Sequence, residues 1–479
     1  MRIFILNPPF VKNFCRSARW AAVSRGRVQR HPDQLLILAA MLKKHGNEVE
    51  FLDGPVCNIL PKDIIRKIVT FNPSLFICHT TTPSIYNDLG YCLQIKEILN
   101  DCLIVLVGSH ASALPEATLN LAKEEFNDAV DAIAVGECEW TLTNLSRKTD
   151  SLKNIKGLAS LNNKKLVFEP ALPVPVDDLP FPSWEMIDPN DYRDLGKRCP
   201  FLTLIHARGC IGNCIFCRDT QINKTGKVRC RDVDLIVAEM EHDLSLYPQI
   251  KEIMFETDNF ASNPEHTEKL CKAIISSGLY KRIPWSCNTR VDTPLELLPL
   301  MKEAGCRMLM TGFEFGTQKS LDAVNKGTTL EQANIFAHTA SKLGFIIHGC
   351  FMIGAPGETE KDAIKTIEFA KSLPCDTVQF SGLCPYPGTP LYYQAIKNNW
   401  LLPKNWKEWV NKDYEQCTLL SYPEFPAHKI DYYIDKGLRQ FYLRPKQIIK
   451  MLMNIGSLAD FKRKLYGFTS FLDYFSKKS

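Results

Sequence analysis

The chain of 479 residues is predicted to be an α/β protein, with an N-terminal doubly wound parallel-sheet domain, a second strand-helix domain and a C-terminal helical extension. Three observations predict this. Short apolar runs alternate with segments of helical period from Ile3 to Val135, the alternation stops in a proline-rich stretch, and it resumes at Phe201 and continues to about Asn399. Strands alternating with helices give a parallel sheet covered on both faces. The expected boundaries are 1–148 for the first domain, 149–195 for a linker, 196–400 for the second domain and 401–479 for the extension.

In order, Ile3 to Leu6 reads as a strand, Leu35 to Lys44 as a helix, Glu48 to Leu52 as a strand and Ile64 to Thr70 as a helix. Leu75 to Cys78 is a strand, Leu93 to Leu99 a helix, and Ile104 to Val107 and Ala132 to Val135 are strands. Ligands bind such sheets beyond the carboxyl ends of the strands. Those ends carry Asn7-Pro8-Pro9, Asp53-Gly54-Pro55, His79-Thr80-Thr81-Thr82-Pro83-Ser84, Gly108-Ser109-His110 and Gly136-Glu137. After the first strand, Arg16, Arg19, Arg25, Arg27 and Arg30 fall within fifteen residues containing no acid. They read either as a solvated loop or as a lid whose guanidinium groups suit anionic or polyhydroxyl ligands.

Pro173, Pro175, Pro180 and Pro182 make the linker extended and semi-rigid. Beyond it, the strand Phe201 to Ile205 runs into Cys210, Cys214 and Cys217, spaced C-x3-C-x2-C. Three thiolates on one loop can hold three corners of a four-iron four-sulfur cluster, and no fourth cysteine follows on the loop to close it. The unique iron is then open to the amino and carboxylate groups of S-adenosylmethionine. The alternatives are a zinc site, which wants four protein ligands and has only Cys230 nearby as a fourth, or three buried thiols.

At these residues, with Phe216 before the third cysteine, the sequence resembles the radical S-adenosylmethionine superfamily. The resemblance implies a partial (β/α)6 barrel for the second domain. The end of the second barrel strand holds the substrate amino group in that superfamily, which points to Glu256 and Asp258; a helix cap after Asn263-Pro264 is the alternative for them. Arg290, ending the third strand, pairs either with the methionine carboxylate or with a neighbouring acid. Gly312-Phe313-Glu314-Phe315-Gly316 is similar to the fourth-strand motif G-x-E-S-G, with Phe315 in place of serine, and Glu314 is expected near the ribose or methionine. Gly349 to Glu358 resembles the fifth-strand glycine motif, so Gly354 and Gly357 are expected to let backbone approach the adenine. Gln379 ends the sixth strand and, with Phe216, Glu256, Asp258, Arg290, Glu314, Gly354 and Gly357, is implied by the resemblance as an S-adenosylmethionine contact. Tyr386 and Tyr392 line the substrate end or pack the rim, with packing favoured for Tyr392, and His348 is read as a satisfied core residue. No residue is singled out as a catalytic acid or base.

The strand ends of the first domain, taken together, resemble the cobalamin-binding domain that precedes many of these enzymes. This implies cobalamin contacts from Asn7, Pro8, Thr80, Thr81, Ser84, Gly108, His110, Gly136 and Glu137. The D-x-H-x-x-G motif that gives cobalt a histidine is absent, and His79 and His110 are read as polar loop residues in preference to cobalt ligands.

Composition bounds the rest. The chain is 45% hydrophobic and 23% charged, with 18 cysteines, and Met1 to Leu6 is too short an apolar region for a secretory signal. The expectation is a cytoplasmic chain whose remaining cysteines, such as Cys102, Cys306 and Cys350, are core residues. No run of 18 apolar residues is present. From Phe441 to the end the net charge is +6 against +5 for the whole, so the basic character belongs to the tail. Apolar residues recur at helical spacing from Gln447 to Phe475, either as helices capping the barrel or as a basic amphipathic surface in peripheral contact with a membrane.

Across residues 1 to about 445 the sequence therefore looks like a cobalamin-dependent radical S-adenosylmethionine enzyme. It looks most like the hopanoid-biosynthesis members that form a cyclitol, and is more distantly similar to the anaerobic magnesium-protoporphyrin monomethyl ester cyclase. The resemblance implies a 5'-deoxyadenosyl radical that abstracts hydrogen from an unactivated carbon, in a ring-forming or ring-remodelling step on a lipid-like or other amphiphilic substrate. Radical methyl transfer to carbon is the alternative, and a non-catalytic iron-sulfur or zinc protein the second. Expected partners are the small substrate and an external reductant such as flavodoxin or ferredoxin, with no nucleic acid.

Overall fold

Ile3, Phe4, Ile5 and Leu6 are all buried, and a strand apolar on both faces belongs inside a parallel sheet. The computed structural model, which describes residues 1–57, 59–147, 152, 154–218, 227–453 and 469, places it there. That strand, β1 (Arg2–Asn7), pairs in parallel with β2 (Glu48–Asp53) and β3 (Leu75–His79). β4 (Leu103–Val107) and β5 (Ala132–Ala134) continue in parallel, giving the order β2-β1-β3-β4-β5. Register sets Asn7 opposite Asp53 and Leu6 opposite Cys78, so three carboxyl ends meet at one edge. Phe4, Phe76 and Ile104 from the strands and Ile64, Ile68 and Leu89 from the helices form one apolar core.

Two more strands, β6 (Leu158–Asn162) and β7 (Lys165–Val167), extend this sheet as an antiparallel hairpin inside the stretch read as a linker. Their turn residues Asn163 and Lys164 both have positive φ, 49° and 65°. Such a two-residue turn matches the twist of its strands but usually advertises itself with glycine, which is missing here. Trp184 and Tyr192 are buried, and the first of the chain's two units comprises Met1–Tyr192 with Pro403–Gln416. The expected boundaries at 149 and 401 therefore shift: residues 149–192 and 403–416 both belong to the first unit.

The second unit, Arg193–Leu402 with Cys417–Ser479, carries six parallel strands in consecutive order. They are β8 (Leu202–Leu204), β9 (Ile253–Phe255), β10 (Trp285–Arg290), β11 (Cys306–Glu314), β12 (Ile346–Ile353) and β13 (Thr377–Gly382). Among the described residues β8 and β13 do not pair, the open arrangement of a partial (β/α)6 barrel. Buried Glu252 pins the amino ends: its Oε2 accepts from Arg307 Nε at 2.8 Å and from the Arg198 backbone at 2.8 Å, and its Oε1 accepts from Ser286 Oγ.

The helix Ala427–Tyr442 packs on β13, where a Cβ at Gly437 would come within 3.2 Å of the Phe380 ring. A helix Pro445–Met453 follows, with Ile448, Ile449 and Met453 exposed. The rest of the predicted amphipathic segment, including Ile455, Leu458, Phe461, Leu465, Phe468, Phe471 and Leu472, lies outside the described residues. No helix among the described residues is long and apolar enough to cross a membrane.

Candidate functional site

The chemistry-bearing loop leaves β8. Its base is clasped by antiparallel pairing of Ala207–Arg208 with Arg229–Cys230, and Gly209 has a φ of 96° at a point where a Cβ would also meet the Lys227 carbonyl at 2.7 Å. Its middle is stitched to neighbouring loops: Asn325 Nδ2 donates to the Asn213 carbonyl at 3.0 Å, Ile215 N to the Val324 carbonyl at 3.1 Å, and Leu391 N to the Ile215 carbonyl at 3.1 Å. Cys214 is buried, while Cys210, Cys217 and Phe216 are half-buried. Gly212 N donates to Cys210 Sγ at 3.3 Å. Burial pushes the Cys210 thiol up, against that donor and the Arg290 charge.

Cations gather behind the thiols. Arg290 Nη1 lies 3.9 Å from Cys214 Sγ, and Lys326, twelve residues beyond Glu314, pairs with Glu314 Oε1 at 2.6 Å. Burial works against the Lys326 ammonium, yet the charges of Glu314 and of Cys214 leave its pKa above the ordinary value. Among the described residues no three His, Cys, Asp or Glu side chains gather around a single metal position. The thiolates of a cubane sit on separate irons and need no such common point. Three thiols on one loop, backed by Arg290 and Lys326, fit an anionic cluster.

The residues expected to hold S-adenosylmethionine fall out as follows. Asp258 is close enough to Cys210 for its charge to raise that thiol's pKa. Asn263, not Glu256 or Asp258, caps the helix Pro264–Ser276 by accepting from His266 N, which removes the capping alternative for both acids. Glu256 is half-buried just beyond β9. Arg290 is paired with a neighbouring acid: Asp292 receives its Nε at 2.9 Å and its Nη2 at 2.9 Å. Burial opposes the Arg290 charge, but Asp292 outweighs it and keeps the pKa above the usual guanidinium value. Glu314 is buried with a φ of 65°, a left-handed conformation that a non-glycine residue seldom adopts. Phe315, replacing the motif serine, is wholly buried.

Gly354 and Gly357 have φ of 101° and 74°, left-handed backbone that favours glycine. The loop they form is held by Glu358, whose Oε2 accepts from the Gly354 and Ala355 backbones, and by Tyr422, whose hydroxyl donates to the Gly354 carbonyl at 2.8 Å. Burial pushes the Glu358 carboxyl up to about 8 in spite of those two donors. Gln379 is exposed on β13, opposite Cys350 on β12. Tyr392 is buried against Tyr393, the packing role expected of it, and His348 shares a 2.8 Å hydrogen bond with Thr377. Sequence reasoning missed Lys326, Asp292 and Tyr422 as site residues. None sits in a recognisable motif, and only the Asp292 position, two residues after Arg290, offered a local signal.

In the first unit, Asn7 links two groups at the strand ends. It donates to Asp53 Oδ1 at 2.6 Å and accepts from His79 Nδ1 at 2.8 Å, while the Tyr192 hydroxyl donates to Asp53 Oδ2 at 2.6 Å. Gly108, with a φ of 113°, leaves room for the next loop, since a Cβ there would meet the Thr80 carbonyl at 2.3 Å. Pro8 is buried beside Asn7, and Gly136 has a φ of 73° with its N–H donating to Ser112 Oγ.

The polar side chains expected to touch cobalamin are largely committed inside the fold. Thr80 Oγ1 donates to the Val107 carbonyl at 2.9 Å, the Thr81 and Ser84 hydroxyls share a 2.6 Å bond, and Ser84 donates to Asp88 at 2.7 Å. Glu137 accepts from Val174 N at 3.2 Å. His110 is buried against Trp406 with its pKa lowered to about 3 by burial, so its ring packs the fold instead of standing at the open edge. These residues shape the loops. Arg16 supplies unmet donors: one Nη bonds the His79 carbonyl and Asp88 at 2.7 Å each, while its buried Nε and Nη1 have no hydrogen-bond partner among the described residues. Donors left unmet at a buried edge fit a cofactor with amide and phosphate arms. This also turns Arg16, at least, from a solvated residue into a built one.

Comparison with known proteins agrees with both halves. The chain matches the model of the Radical SAM superfamily over residues 204–370 and that of the B12 binding domain over residues 21–146. It is 33% identical over 426 residues to an uncharacterized methyltransferase of Pyrococcus horikoshii, covering 88% of this chain and 89% of the relative. It is 28% identical to the anaerobic magnesium-protoporphyrin IX monomethyl ester cyclase of Rubrivivax gelatinosus, over 76% of this chain and 66% of that one. The fold is similar to that of the radical S-adenosylmethionine methyltransferase TsrM from Kitasatospora setae, solved with cobalamin and a [4Fe-4S] cluster bound. The TM-score is 0.71 at 16% identity, over 98% of this chain and 99% of that one.

Proposed function

The chain belongs to the radical SAM superfamily as a member that also carries a B12-binding domain, and from that premise we propose that it is a cobalamin-dependent methyltransferase acting on an unactivated carbon. Its cofactors are the four-iron four-sulfur cluster, S-adenosylmethionine and cobalamin. The observation that carries methyl transfer is the 33% identity across 89% of a relative named a methyltransferase. When bound, these groups supply one-electron cleavage of a sulfonium, hydrogen abstraction and a methyl carrier.

The chain's own residues would divide the work. Cys210, Cys214 and Cys217 hold three irons and leave the fourth to a non-protein ligand. Asp258 accepts from an ammonium beside Cys210, with Glu256 as a second acceptor, and Lys326 presents a cation to a carboxylate. Gly354 and Gly357 bring backbone to the adenine, Gln379 offers an amide on β13, and Phe216 packs beside the third thiol. In the first unit Asn7, Pro8, Gly108 and Gly136 form the edge on which cobalamin rests, kept in shape by Thr80, Thr81, Ser84, His110 and Glu137, with Arg16 as a further donor. An external one-electron donor of flavodoxin or ferredoxin type would drive the reaction.

A second reading, formation or remodelling of a ring, draws support from the 28% identical cyclase. A lipid-like, hopanoid-type substrate and peripheral membrane contact would suit the exposed Ile448, Ile449 and Met453. The two readings separate on product analysis. Anaerobic turnover with substrate is expected to yield both S-adenosylhomocysteine and 5'-deoxyadenosine; 5'-deoxyadenosine with no S-adenosylhomocysteine would reject methyl transfer in favour of the ring-forming step.

A further inference from the structure

We propose that Arg290 sets the reduction potential of the cluster. This rests on the reading that the Cys210–Cys217 loop holds one. Arg290 is buried at the carboxyl end of β10 and its nitrogens are divided between two tasks. Nε and Nη2 are fixed from behind, by Asp292 at 2.9 Å each and, for Nη2, by the Lys326 carbonyl at 2.9 Å. Nη1 is left pointing at the Cys214 thiol, 3.9 Å away. The loop is shaped around it: a Cβ on Gly212 would stand 2.8 Å from Nη1 and 3.5 Å from Cys210 Sγ, so only glycine admits the guanidinium between the two cysteines.

A planar fork held by two acceptors on one side keeps its remaining donor in place. A cluster that gains an electron gains negative charge, and a fixed cation beside one of its sulfurs stabilises the reduced form. Arg290 thereby raises the potential. Asp292 works in the opposite sense, since its carboxylate offsets part of the guanidinium charge. The pair therefore predicts shifts of opposite sign from two substitutions on one side chain and its partner, which a merely structural role does not.

The test is an EPR-monitored redox titration of the full-length protein reconstituted with iron and sulfide, without S-adenosylmethionine, after iron and sulfide per chain have been counted. Arg290→Gln is expected to move the midpoint to more negative potential, Arg290→Lys to fall between it and the wild type, and Asp292→Asn to move the midpoint to more positive potential. Coincident midpoints, or shifts of the same sign in Arg290→Gln and Asp292→Asn, overturn the proposal. If Arg290→Gln takes up no cluster, the direction of the Asp292→Asn shift decides. A wild-type protein that assembles no four-iron cluster defeats the cluster reading and the proposal with it, whereas an intact cluster with unchanged midpoints defeats only the role of Arg290.

Discussion

Lys326 Nζ lies 2.6 Å from Glu314 Oε1 in a buried pair that ties the end of β11 to the loop behind the thiols. Removing one partner leaves the other charged and dry. Lys326→Met is expected to destabilise the protein by about 3–5 kcal/mol and to weaken S-adenosylmethionine binding. Denaturant unfolding and calorimetry check the two effects; unchanged affinity in a folded variant would show that the lysine serves the fold alone.

Gly212 and Gly108 are both positions where the space for a side chain is already taken. Gly212→Ala would drive a methyl group against Arg290 Nη1, and it is expected to lower iron and sulfide content after reconstitution. Gly108→Ala combines a φ of 113° with a clash on the Thr80 carbonyl, so it is expected to cost more than about 1 kcal/mol. Loss of cobalamin uptake with a retained cluster is the expected signature, measured by absorbance; loss of both would point to global unfolding.

Glu358 predicts a pH dependence. Its folded pKa, about 8, stands above its ordinary value of 4.5, with burial as the cause and Asp362 adding to it against the Lys319 charge. The folded state then keeps a proton that the unfolded state has released, so this group's contribution to stability falls as pH rises from about 4.5 to about 8. Glu358→Gln keeps an acceptor for the Gly354 and Ala355 backbones without the titration. The variant should flatten that part of the stability profile, and an unchanged slope between the two pH values would contradict the assignment.

His110 predicts the opposite slope. Burial holds its folded pKa at about 3, below the ordinary 6.5, so the unfolded state binds the extra proton and stability is lost as pH falls through that window. Trp406→Ala should uncover the ring and bring its pKa back towards 6.5, as followed by NMR. A ring that still titrates near 3 would mean that other groups bury it.

Both sheets were legible in the sequence because β1, β4 and β9 are apolar runs followed closely by proline, glycine or an acidic residue, and a parallel sheet needs little more to announce itself. The cysteine loop was legible because its spacing is local. The β6–β7 hairpin was not, since Asn163 and Lys164 close it without the usual glycine. The return of residues 403–416 to the first unit rests on contacts such as Trp406 with His110, far apart in sequence. The Glu314–Lys326 and Arg290–Asp292 pairs were hidden for a related reason: which acid answers which cation is decided by loop geometry. Thr80 and Ser84 were expected only as cobalamin contacts because sequence does not record that the Val107 carbonyl and Asp88 accept from their hydroxyls.

The central claim is that Cys210, Cys214 and Cys217 hold a four-iron cluster with one iron open to S-adenosylmethionine. Mössbauer and EPR spectra of the anaerobically reconstituted protein, recorded with and without S-adenosylmethionine and beside Cys214→Ala, test it most directly. The account predicts about one [4Fe-4S] cluster per chain, as three thiolates on one loop would hold, lost in the variant, with a spectrum of the reduced form that changes when S-adenosylmethionine is added. Zinc in place of iron, or a cluster whose spectrum is indifferent to S-adenosylmethionine, would contradict it.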